Sequence, residues 1–169
     1  GYEAFHNPNS EAWVRVAEGC ALTAGLIGGI GGSKCRTAAA HALHNGLTQL
    51  KVSEKALHGE LVCFGIVAQL HLEESLEDNQ LARQARKQLI QYLRRLNLPT
   101  SLAELGFGEI SVEQLEKACS FACKEGSDIH KLPFNVNANK LLKTLMATRE
   151  PETMIKREGS LKGPKHLDA

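Results

Sequence analysis

The chain has 169 residues, 43% of them hydrophobic, which is enough for one well-buried domain and short for two. Lys and Arg number 20 against 19 Asp and Glu, and the net charge of +1 leaves no electrostatic footprint for nucleic acid or an anionic membrane. Five cysteines lie in apolar stretches without CxxC pairs and read as reduced, buried thiols of a soluble cytoplasmic protein. No apolar run reaches the roughly 20 residues of a membrane span, and no basic segment followed by an apolar core opens the chain.

Taken in chain order, the periodicity is helical nearly throughout. Ser10 precedes a helix from Glu11 to about Leu26 that stops among Gly25, Gly28, Gly29, Gly31 and Gly32. A small-residue helix follows from about Lys34 to His44. Ser53 can cap a strongly apolar helix running through Val62, Phe64, Ile66, Val67 and Leu70 to about Glu73, apolar nearly all round and so central. Asp78 or Asn79 opens an amphipathic helix with Leu81, Leu89, Leu93 and Leu96 inward and Arg83, Arg86, Lys87, Arg94 and Arg95 in solvent, ending at Pro99.

Ser101 with Glu104, and Ser111 with Gln114, have the capping-box spacing, marking a short helix and a longer one that ends at Gly126. A last helix spans about Asn137 to Ala147. The expectation is an all-α domain of six or seven helices over residues 1–148, with a polar, loosely ordered tail over 149–169.

The glycine-rich run Gly25 to Lys34 fails both nucleotide motifs. A dinucleotide fingerprint started at Gly29 ends on Lys34 instead of glycine, and the P-loop order Gly-Lys-Ser/Thr is here Gly-Ser-Lys. It reads as a structural loop between helices.

The chemistry-bearing residues are histidines. His41 and His44 stand in Ala38-Ala39-Ala40-His41-Ala42-Leu43-His44-Asn45-Gly46, and His58 in Leu57-His58-Gly59-Glu60. On one straight helix His41 and His58 would lie about 25 Å apart, at ~1.5 Å rise per residue, too far to share a metal. A reversal between Asn45-Gly46 and Lys51-Val52-Ser53 lets them converge. A catalytic zinc takes three protein ligands and keeps one open position, so the residues alone permit a three-histidine site; they equally permit histidines satisfied by core or helix-end hydrogen bonds.

The segments Ala38–Thr48 and His58–Leu70 resemble the glycerol dehydrogenase branch of the iron-containing alcohol dehydrogenase superfamily. The similarity continues through Leu98–Leu105 and Glu125–Pro133, so it covers most of the chain from about residue 12 to 148. Members that act on 2-oxo acids look equally similar.

This resemblance implies the C-terminal, helical, metal-binding domain of a two-domain enzyme. The N-terminal α/β domain of such enzymes binds NAD(P), and zinc or another divalent metal lies in the cleft. By motif, His41 and His58 match the two family histidine ligands, and His44 and Asn45 stand just behind them or in the cleft. Glu60 either orients a ligand or complements the helix dipole. His130 resembles a family histidine in a loop near the cleft, or caps that loop.

The family's third ligand is an aspartate upstream, near the domain junction. None of Glu3, His6 or Glu11 matches it in context. The implied chemistry is a Lewis-acid metal that binds the hydroxyl of a small alcohol or hydroxy acid and assists hydride transfer to the nicotinamide.

With two ligands and no cofactor domain, the chain is expected to be inactive alone, to need an N-terminal nucleotide-binding partner domain, and to expose apolar surface that favours a homo-oligomer. Two alternatives are a non-catalytic helical interaction domain derived from this fold, and part of a sugar-phosphate cyclase. The cyclase also carries a His-Gly-Glu segment, but it calls for basic residues where the run beside His41 is alanine.

Overall fold

A computed structural model describes residues 1–35, 37–51 and 56–152. The expected cap Ser53 and the tail beyond residue 152, with His166, lie outside the described residues. Among those described there are helices and turns and no strand, as an all-α domain requires.

The helices are α1 (Tyr2–His6), α2 (Glu11–Glu18), α3 (Ala24–Gly31), α4 (Ala39–Leu47), α5 (His58–Glu77), α6 (Gln80–Arg95), α7 (Val112–Ala122) and α8 (Ala138–Ala147). A π-helical turn, Gly19–Thr23, joins α2 to α3 into one continuous rod, Glu11–Gly31. Short turns at Ala103–Phe107 and Asp128–Lys131 complete the body.

The rod overturns two expectations. The helix runs through Gly25, Gly28 and Gly29 and ends only at Gly32, whose φ of 61° is left-handed. Interior glycines cost a helix roughly 0.5–1 kcal/mol each relative to alanine, which lowers its stability without breaking it. By length and composition this helix is long and apolar enough to cross a membrane, and none of its apolar window is buried. Trp13, Val14, Val16, Leu22, Leu26, Ile27 and Ile30 are all exposed on it. α1 reaches back toward the body, where Arg95 stacks over the Tyr2 ring at 4.4 Å.

The body is built around α4. It packs on α5 and α7 and on the turn Asp128–Lys131, while α5 carries α6 and α8 closes against α7 and α5. Leu43, Leu47, Leu61, Phe64, Leu72, Leu102, Phe107, Leu115, Ile129, Leu141 and Leu145 form the core between them. Two glycines permit this closeness. A Cβ on Gly65 would lie 2.6 Å from the Ala40 carbonyl oxygen, and one on Gly46 would collide with the carbonyl of Ala118. The small residues flanking His41 are therefore the contact surface of α4.

Local capping sets several helix starts as the sequence suggests. Asn79 accepts from the Leu81 and Ala82 amides, Ser111 and Gln114 bond reciprocally, and Asn137 accepts from Lys140. Ser101 accepts from the Glu104 amide, but the Glu104 carboxylate reaches Thr100 instead of returning to Ser101.

α6 keeps Leu93 inward and Leu89 against the core as expected, but departs at Leu81 and Arg86. Its buried residues are Ala82, Arg86, Ile90 and Leu93, whereas Leu81 is 76% exposed. Arg86 is only 8% exposed because Glu74 on α5 and Glu152 at the end of the described chain both meet it, at 2.8 and 2.9 Å. A buried charge is tolerated when paired and hydrogen-bonded, and this pairing holds Arg86 inward. All five cysteines are free as expected, and Cys119 is buried, but Cys63 and Cys123 are only half-buried and Cys20 and Cys35 are exposed.

Candidate functional site

The chain does reverse between α4 and α5, and it brings all three histidines together. The His41 and His58 ring centroids are 6.3 Å apart, and those of His44 and His58 are 4.3 Å apart. His41 and His44 are half-buried on α4, and His58 is exposed at the first residue of α5. The site stands where the α4–α5 packing begins, so the Ala40–Gly65 contact sets the distance between the rings.

The three rings do not form a three-ligand cage. His58 Nδ1 lies 2.9 Å from His44 Nε2, and His44 Nδ1 lies 3.0 Å from Asn45 Oδ1. Both nitrogens of His44 are thereby committed to hydrogen bonds. Among the described residues, no group of three or more His, Cys, Asp or Glu side chains is arranged to hold a metal ion. His41 and His58 stand on adjacent helices, and an imidazole nitrogen is a good zinc ligand. Two metal–nitrogen bonds of about 2.0–2.1 Å and the rings' own half-widths reach the separation of these rings only when nearly in line, so a tetrahedral ion would draw the two rings together by roughly 1 Å. The donor set fits zinc or a similar divalent ion as two ligands of a larger set.

The Glu60 carboxylate accepts the Leu57 amide at 2.8 Å, closing the first turn of α5. His130 sits in the Asp128–Lys131 turn, with Nε2 at 3.1 and 3.2 Å from the carbonyls of Cys123 and Lys124. It therefore donates to the exposed carbonyls that end α7, as a loop cap.

A cavity of about 410 Å³ opens beside His41, lined by Thr37, Ala40, Val62, Gln69 and Lys131 among others. Three of these residues went unmarked in the sequence. Gln69 Oε1 accepts the Ala40 amide at 3.3 Å, capping α4 from α5 where the N-cap residue Ala38 has no side-chain acceptor. Lys131 reaches Thr37 at 3.1 Å and pairs with Asp128 at 2.6 Å. The Lys131 bond, then that of Thr37, holds the Asp128 carboxyl below its ordinary range despite some burial. Only the Asp128 and Lys131 spacing of three could have been noticed in advance; the other contacts arise from the helix crossing.

No family model matches this chain. Over 146 residues it is 49% identical to an uncharacterized oxidoreductase of Synechocystis sp., which spans 86% of this chain and 38% of that protein. It is 35% identical over 132 residues to hydroxycarboxylate dehydrogenase A of Escherichia coli K12, which spans 78% of this chain and 34% of that protein. The crystal structure of a probable glycerol dehydrogenase from Sinorhizobium meliloti superposes with a TM-score of 0.60 at 30% identity, over 68% of this chain and 31% of that one.

The chain belongs to the glycerol dehydrogenase-like branch of the iron-containing alcohol dehydrogenase superfamily. It spans about a third of the length of these relatives, and its all-helical fold is that of the family's C-terminal helical domain.

Proposed function

We propose that this chain is the metal-holding helical part of an NAD(P)-linked dehydrogenase acting on a small alcohol or hydroxy acid. In this reading His41 and His58 supply two of the metal's ligands. The observation that carries it is the convergence of these two rings, 6.3 Å apart, from helices whose packing small residues set. A divalent cation held there supplies Lewis-acid polarisation of a substrate hydroxyl.

The chain's own residues do the rest of the local work. His41 and His58 position the donors, and the cavity beside His41 offers Gln69, Thr37 and Lys131 to a polar substrate while Val62 and Ile66 exclude water from one wall. The nicotinamide-binding domain and the third ligand come from outside these residues, so the chain alone is inactive.

The apolar residues along Glu11–Gly31 support the need for such a partner domain. Glu11, Arg15 and Glu18 punctuate the first two turns of the rod, and the ion pair Arg15–Glu11 at 3.3 Å favours a water-facing side over a lipid one. A soluble, cytoplasmic protein follows from this reading.

Calorimetric titration of the chain with zinc tests the proposal. Weak binding with a rise in melting temperature is expected, lost in the His41→Ala, His58→Ala double variant. Absence of binding by the unmodified chain, or undiminished binding by the double variant, overturns it.

A further inference from the structure

We infer that His44 and Asn45 form a positioning relay that fixes the tautomer and ring orientation of His58, so that its Nε2 carries the free lone pair. The inference rests on the metal reading above, but its geometry stands on its own.

The argument follows the protons. Asn45 Oδ1 is an acceptor only, so at 3.0 Å the nitrogen facing it, His44 Nδ1, must donate. A neutral imidazole carries one N–H, which leaves His44 Nε2 bare and accepting. The atom 2.9 Å from that bare nitrogen is His58 Nδ1, which must therefore donate. The proton of His58 is then on Nδ1, and Nε2 is left with its lone pair.

The relay takes its direction from the amide oxygen that Asn45 turns toward His44, and the nitrogen shifts of His58 test that orientation. Were it to begin at an amide N–H, every bond would invert and His58 would hold its proton on Nε2, where no metal could bind. A ligating histidine is commonly oriented by a partner on its other nitrogen. The unusual element is that the partner is a second histidine, itself set by its chain neighbour. The rings meet edge to face at 74°, which holds the His58 plane against rotation. His44 sits one helical turn after His41, so one short stretch of α4 supplies a ligand and the residue that orients the other.

Nitrogen-detected NMR of the metal-free chain, at a pH where its imidazoles are neutral, reads the tautomer directly, and calorimetry with zinc reads the consequence. The unmodified chain is expected to show His58 protonated on Nδ1. His44→Leu removes the acceptor and should shift His58 toward the Nε2–H form, with zinc affinity falling roughly 10–100-fold. His44→Gln offers an amide oxygen near the same place and should recover part of both signals. Circular dichroism establishes that each variant is folded, and the Gln variant carries the comparison if the Leu variant is not.

Protonation of His58 on Nε2 in the unmodified chain overturns the relay, as does a His44→Leu chain with unchanged tautomer and affinity. An unmodified chain that binds no zinc overturns the metal reading instead, and the nitrogen shifts then judge the relay by themselves.

Discussion

Gly65 of α5 meets Ala40 of α4 so closely that a Cβ on the glycine would lie 2.6 Å from the Ala40 carbonyl oxygen. Backbone cannot give way as the end of a long side chain can, so Gly65→Ala must push the two helices apart. A loss of about 1–3 kcal/mol is expected in denaturant melts, as for overpacked cores, with weaker zinc binding because His41 and His58 ride on these helices. Gly59→Ala is the control. It meets nothing within 4 Å and lies in the first turn of α5, so it should be neutral or stabilise by up to about 1 kcal/mol.

Acid should weaken the fold in two steps. Burial first, and then the charge of Arg86, lower the His71 pKa below 6.5; its Nδ1 is buried without a hydrogen-bond partner. Burial alone would raise Glu74, but the hydrogen bonds and charges of Arg86 and Arg83 outweigh it and lower its carboxyl below 4.5. In both cases the unfolded chain takes up a proton at higher pH than the folded one, so stability is present above the unfolded value and is lost as pH falls.

Melts across pH should therefore show a first decline beginning near 6.5 and a second below 4.5. Glu74→Gln should shrink the second step, leaving the part that the lowered Asp128 carries, and cost about 1.5–3 kcal/mol at neutral pH, because among the described residues Arg86 then keeps Glu152 as its ionic partner. His71→Gln should abolish the first.

Thiol reactivity should divide the cysteines. Burial raises Cys119 to about 12 and Cys123 to about 11, and it raises Cys63 as well. The thiolate is the reacting form. Alkylation near pH 8, followed by mass spectrometry, should mark exposed Cys20 and Cys35 first and Cys119 only in denaturant. Early labelling of Cys119 in the folded chain would contradict the core packing.

The exposed rod should make the isolated chain associate. Leu22, Leu26 and Ile30 are 69%, 63% and 82% exposed along it, a row of large apolar side chains that water does not favour. Light scattering should give a mass above the monomer that falls with dilution. Leu22→Ser with Ile30→Ser should shift it toward the monomer without lowering the melting temperature of the body.

What the sequence discloses and what it hides divide by range. Asn79, Ser111 and Asn137 announce helix starts because a cap bonds to residues two or three away. The histidine motifs likewise pointed to a shared place, and the reversal brought His41 and His58 together. The outward Leu81 and the buried Arg86 could not be foreseen, since the inward face of α6 near Arg86 depends on Glu74 on α5 and on Glu152. The bonding of His44 was hidden for a similar reason. An i,i+3 pair looks like a chelate until the crossing of α4 and α5 shows that His58 already occupies the second histidine's nitrogen.

Glu152 also gives the molecule an order of assembly. Its carboxylate meets Arg86 across 66 residues of chain, and its carbonyl oxygen accepts from Arg94 at 2.7 Å across 58. A contact closing so long a loop stabilises the chain only after the helices within that loop have formed and docked. The clasp should therefore be among the last links made during folding and among the first released when the protein is unfolded. Being ionic and partly exposed, it should also loosen with salt before the aliphatic core responds. Each molecule thus carries, at Glu152, a contact whose formation reports that helices far apart in the chain have docked.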